Sequence, residues 1–100
     1  MAKEVILTPI AQINYEDIIE YLLNNWGLRV TNNFIDRFEK ISELLVENPE
    51  IFPFINKAQQ IQKCVLTKHN IIYFKNTRVA IKILTVFDTR QNPDKLSSII

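Results

Sequence analysis

The spacing of apolar residues changes once along this chain, and that change limits the folds open to it. Between residues 10 and 47 apolar side chains recur every three or four positions; between 61 and 87 they recur every second one. The first spacing lines a helix face and the second a strand face. A helical half followed by an uninterrupted β half places the chain in the α+β class. One glycine in 100 residues leaves little room for a flexible joint, so residues 1–100 read as a single domain. Area scaling has such a chain hiding roughly 11,000 of about 17,000 Å² on folding, enough for a real core.

Local signals mark the elements. "KEVILT" (3–8) reads as a short first strand, and Thr8-Pro9 as a helix start, with Thr8 the N-cap and Pro9 a residue whose missing N–H costs nothing there. The first helix then carries Ile10, Ile13, Asp17/Ile18, Tyr21/Leu22 and Trp26 as its apolar stripe, with Gly27 as a left-handed cap. A second helix over 29–47 places Val30, Phe34, Phe38, Ile41 and Leu45 on one face, and Asn48-Pro49 stops it. Helices joined this closely form an antiparallel hairpin. Residues 49–60 read as an ordered loop pinned by Phe52 and Phe54.

Three strands follow, at 61–67, 70–75 and 78–87, separated by Lys68-His69 and Asn76-Thr77. The expected order is β-α-α-β-β-β, with the helical hairpin packed on one face of a small antiparallel sheet. Alternation sends Val79, Ile81, Ile83 and Phe87 toward the helices, and Arg78, Ala80, Lys82, Leu84 and Val86 to the other side. Leu84 and Val86 then need a cover, from a partner or from the C-terminal tail.

Composition removes several function classes. The apolar run of "MAKEVILTPI" is far too short for a signal-peptide core or a membrane span. With Cys64 as the only cysteine no internal disulfide can form, which suits a reducing cytoplasm. One His and one Cys do not make a usual zinc shell, so no metal is expected. A single glycine excludes the Gly-rich phosphate loops, and no cofactor is expected. Cys64 between apolar neighbours reads as a small buried residue, His69 as a turn residue, and Glu16, Asp17 and Glu20 as a solvated helix face. Charge is less bland. Residues 1–50 hold four Lys/Arg against nine Asp/Glu, and residues 51–100 hold eight against two. Lys63, Lys68, Arg78 and Lys82 therefore either solubilise an exposed sheet face or contact an anionic partner such as nucleic acid.

Taken in order, "LTPIAQINYEDIIEYLLNNWG", "FIDRFEKISELLVENPEIFP" and "HNIIYFKNTRVAIKILTVFDTRQNP" resemble the RelE/ParE superfamily of bacterial toxins, the ParE branch most closely, from Val5 to Pro93. The resemblance implies a type II toxin-antitoxin toxin of the plasmid-stabilisation kind. A small antitoxin would silence it by folding against Leu84, Val86 and the helices, by strand addition or helix-in-groove packing. ParE-like members act on DNA gyrase and RelE-like members cut mRNA on the ribosome.

The ending "FDTRQNP" bears on that choice. RNA cleavage needs a base, an acid and cations for the phosphorane charge, and RelE-like toxins place an aromatic residue or His near their C-terminal arginine. Here Arg90 matches that arginine, but "QNPDKLSSII" brings neither Tyr nor His. The resemblance therefore implies a gyrase poison with no catalytic residue, contacting gyrase around Arg78, Lys82, Asp88 and Arg90, with Tyr21 and Trp26 in core and helix-hairpin packing. The alternatives are a ribosome-dependent endoribonuclease using Lys63, His69, Arg78, Lys82 and Arg90, or a remnant that keeps only antitoxin binding. Locally, Arg90 reads as the ion-pair partner of Asp88 or Asp94, fastening the tail.

Overall fold

Thr8 divides a strand from a helix and holds both to the far end of the chain. The computed structural model describes residues 3–100, with strand β1 at Glu4–Leu7 and helix α1 at Pro9–Trp26. Thr8 Oγ1 accepts from the Ala11 N–H at 3.1 Å and donates to the Leu84 carbonyl at 2.7 Å. The same residue therefore caps α1 and ties its start to the last strand.

Gly27 ends α1 with a positive φ of 84°, as expected, but its ψ of −178° is extended rather than left-handed helical. Its carbonyl accepts from the Thr31 N–H at 3.2 Å and from Thr31 Oγ1 at 2.9 Å, so it also opens helix α2, Leu28–Glu47. The helices return antiparallel: Tyr15 and Phe38, nearly equidistant from Gly27 in sequence, have ring centroids 4.7 Å apart. Asn48 closes α2, its N–H bonding the Leu44 carbonyl at 2.8 Å.

The buried face of α1 differs from the expected one. Ala11, Tyr15, Ile18, Ile19 and Leu22 pack on the core, while Ile10, Ile13, Tyr21 and Trp26 are exposed. Tyr21 and Trp26 are thus not core residues, and Trp26 is 64% exposed. Apolar side chains run nearly all round this helix, so spacing alone leaves its rotation open; contacts to the sheet choose it. In α2 the expected Phe34, Phe38, Ile41 and Leu45 do face the core, with Thr31 in place of Val30.

The sheet is five-stranded and mixed, in the order β1-β5-β4-β3-β2. Ile61–Thr67 (β3), Asn70–Asn76 (β4) and Ala80–Asp88 (β5) form the expected antiparallel meander. β1 joins it parallel to β5, a pairing that the intervening helices permit as a crossover. The loop expected at 49–60 contains a short helical turn, Pro49–Ile51, and a three-residue edge strand β2, Phe54–Asn56. Phe52 does pin it, edge-on to Phe74 at 5.9 Å, whereas Phe54 is exposed.

Alternation along β5 breaks at Leu84. Phe74 pairs with Ile83 but Tyr73 with Thr85, which leaves Leu84 as an extra residue in a bulge. Beyond it the faces exchange. Val86, 2% exposed, joins Ile81 and Ile83 on the helix side, and Phe87 joins Tyr73 on the reverse side. The C-terminal tail covers part of that reverse side: helix α3, Pro93–Ile99, starts where Asn92 Oδ1 accepts from the Asp94 N–H at 3.0 Å, and Leu96 and Ile100, like Leu84, pack against the cluster of Ile61, Tyr73 and Phe87. Leu84 therefore shares its cluster with the tail, one of the two covers expected, whereas Val86 lies on the helix side and is buried there.

A Cβ at Gly27 would meet no atom within 4 Å, so replacement there is opposed by backbone conformation alone. Gly27→Ala is expected to lower unfolding free energy by about 1–3 kcal/mol, measured by denaturant titration with the slope unchanged.

Candidate functional site

α1, α2 and the end of the sheet where β3 turns into β4 enclose an open groove of about 590 Å³, the size of a small ligand site. Its floor is apolar: Ile18 and Leu22 from α1, Val30 and Phe34 from α2 and Val86 from β5, with Ile99 from the tail also lining it. Its rim is polar and charged, with Asn14, Asp17, Arg37, His69, Asp88 and Arg90. The bulge at Leu84 builds part of this floor, because it turns Val86 to the helix side.

Four of these rim residues, Asn14, Arg37, Asp88 and Arg90, have bonded side chains, and His69 is bonded through its backbone. Asn14 Oδ1 accepts from Thr85 Oγ1 at 2.6 Å and from the Val86 N–H at 3.2 Å, which joins α1 to β5. Arg37 Nε donates to the Leu66 carbonyl at the end of β3. The carbonyl of His69 accepts from the Thr89 N–H at 2.9 Å, and its N–H donates to Thr67 Oγ1 at 3.2 Å. His69 is thus a backbone-bonded turn residue, as its context suggests.

Arg90 closes the rim. Its Nε and Nη2 donate to Asp88 Oδ1 and Oδ2 at 3.0 and 2.8 Å, and its backbone N–H donates to Oδ1 at 2.8 Å. Of the two local partners expected for Arg90, Asp88 is the one used. The guanidinium hydrogen bond holds the Asp88 carboxyl below its usual range against a smaller opposing effect of burial, and Arg90 is shifted up in turn.

The sequence candidates fall into separate places. His69, Asp88 and Arg90 meet at the groove rim. Lys63 and Lys82 lie on the reverse sheet face, opposite in direction to Cys64, Ile81 and Ile83. Arg78 is exposed in the β4–β5 turn, at the other end of β5 from Asp88. A strand of that length spans roughly 25–30 Å, so Arg78, Lys82, Asp88 and Arg90 do not form one patch. Neither does the set Lys63, His69, Arg78, Lys82 and Arg90, for the same reason. Cys64 is buried on the helix side of β3, and desolvation pushes its thiol up to about 11 although Arg37 works the other way. Among the described residues no three His, Cys, Asp or Glu side chains gather as a metal shell would need.

Arg37, Asn14 and the Val30–Phe34 floor were not legible as site residues. Arg37 stands beside the apolar stripe of α2, as any solvated residue would, and only the packing of α2 over the end of β3 brings it to the groove.

Comparison with known proteins bears on the whole chain. Residues 5–93 match the family model described as "ParE toxin of type II toxin-antitoxin system, parDE". Among solved structures, a chain of the "Chromosomal ParDE TA system from P. aeruginosa" superposes with a TM-score of 0.72 at 11% identity, over 89% of this chain and 98% of that one. At that identity the likeness is one of fold. A search of curated protein sequences found no match.

Two measurements check the site's electrostatics. Cys64, with its thiol pushed to about 11, should resist alkylation at pH 8 in the native protein and react in denaturant. The Arg90 amide proton should titrate with a midpoint below the usual Asp range. Because the folded carboxyl is depressed, the tail contact persists at neutral pH and is lost as pH falls through that midpoint; Asp88→Asn should abolish the titration.

Proposed function

The chain belongs to the family of ParE toxins of type II toxin-antitoxin systems, and on that premise we propose that it binds DNA gyrase and holds the enzyme in its broken-DNA state. The observation that carries this reading is the family match over residues 5–93. A partner that neutralises the toxin is part of what the family implies. The groove suits such an antitoxin segment, because it offers an apolar floor bounded by fixed polar groups. In this reading Val86 contributes from the groove floor, and Leu84 contacts the antitoxin only if α3 moves aside. Toxin and antitoxin would then form a hetero-oligomer in the cytoplasm; no described helix is long and apolar enough to cross a membrane.

Poisoning by binding requires a complementary surface and no bond chemistry. The gyrase contacts we propose divide between the two ends of β5: Asp88 and Arg90 at the groove rim, Arg78 and Lys82 at the other. The dispersal of Lys63, His69, Arg78, Lys82 and Arg90 supports this reading over RNA cleavage, which needs base, acid and cations around one phosphate.

One observation favours the second reading, a ribosome-dependent mRNA endoribonuclease. Lys75 stands directly opposite Lys82, and Lys63 lies diagonal to Lys75 on the same face. Like charges so placed oppose each other, and a bound polyanion would relieve the repulsion.

Purified gyrase separates the readings. Saturating toxin is expected to inhibit supercoiling and to accumulate cleaved DNA complexes, while messages on programmed ribosomes stay intact. Unimpaired supercoiling together with new message ends would replace gyrase by the ribosome, and induction that leaves growth untouched would reduce the protein to an antitoxin-binding remnant.

A further inference from the structure

We propose that Arg37 is the carboxylate receptor of the groove, and that the segment docking there is an amphipathic helix carrying an Asp or Glu that pairs with it. This rests on the reading that the groove takes an antitoxin segment.

Arginine has five N–H donors in a rigid fork. At Arg37 the Nε–H is committed to the Leu66 carbonyl. That bond spans helix and sheet and so fixes the guanidinium, while the four N–H groups on its η nitrogens have no hydrogen-bond partner among the described residues. The one ion pair among those residues is Asp88 with Arg90. Arg37 therefore brings an unpaired, oriented positive charge to the edge of an apolar floor made by Ile18, Leu22, Phe34 and Val86. Arg37 is exposed at the rim, so a carboxylate arriving on an apolar segment would find two parallel donors there, and the docked segment would itself shield the pair from water and strengthen it.

The occupant is helical because side chains, not a strand, hold the backbone groups of the sheet edge beside the groove. β1 pairs with β5 only as far as Ile83, and beyond it the Val86 N–H is taken by Asn14 Oδ1. A partner strand would have to displace that side chain, whereas a helix satisfies its own backbone and needs only its side chains to reach the floor.

The test is a displayed library of 18-residue helical peptides with apolar residues at every third and fourth position and the other positions randomised, selected on the full-length protein. Peptides from the wild-type selection should carry Asp or Glu at one recurring position, and selection on Arg37→Gln should lose that preference. Changing the selected acid to its amide should weaken binding to wild type about tenfold to a hundredfold and leave binding to Arg37→Gln unchanged. Arg37→Lys, which keeps charge but not the fork, should fall between them and guards against a misfolded Gln variant. Peptides that lose binding to Val30→Lys yet show no acid preference would overturn the role of Arg37 and leave groove docking standing. Selection yielding no peptide sensitive to Val30→Lys would sink groove docking itself, and the proposal with it.

Discussion

The hydrogen bonds between the first half of α1 and β5 are the constraint on which the rest of the structure depends. Thr8, the N-cap of α1, and Asn14, in the helix itself, together engage Leu84, Thr85 and Val86. A helix with apolar residues nearly all round could bury several faces at similar cost. Two polar side chains that must find partners when part-buried remove that freedom. They set the rotation of α1, and α2 follows through the Tyr15 contacts with Phe34 and Phe38.

The same bonds fall on the bulge of β5. Leu84 is the inserted residue there, its carbonyl is held by Thr8, and the faces of the strand exchange just beyond it. One local irregularity therefore has two consequences: Val86 becomes part of the groove floor, and Phe87 is left for α3 to cover. Bulges re-aim side chains next to functional sites in this way. The tail covers Phe87 on the reverse side, while apolar side chains stay exposed on the hairpin, at Ile10, Ile13, Leu23, Trp26 and Leu28, before β3, at Ile51, Phe54 and Ile55, and on the sheet, at Ile6, Val65 and Val79.

The division of charge has a similar logic. Acids concentrate on the helices and bases in the second half of the chain, where those on or beside the sheet separate by face and by end. Lys63, Lys75 and Lys82 share the reverse face, Arg78 sits at one end and Arg90 at the other, neutralised by Asp88. Arg37, drawn from the acidic half, is the cation that the groove leaves without a carboxylate.

What the sequence determined by itself is local or repetitive. The helix and strand periods, the Thr8-Pro9 start, the Gly27 break and the Asn48-Pro49 stop all depend on groups within four residues of one another, and they were legible for that reason. The α+β class and the family likeness follow from their order. The tertiary structure alone decided which face of α1 is buried, where alternation in β5 breaks, that β1 pairs parallel to β5, and that Arg37 reaches the groove. Each of these rests on contacts between residues far apart in sequence, such as Thr8 with Leu84 and Arg37 with Leu66, and no periodicity along the chain encodes a partner at that distance.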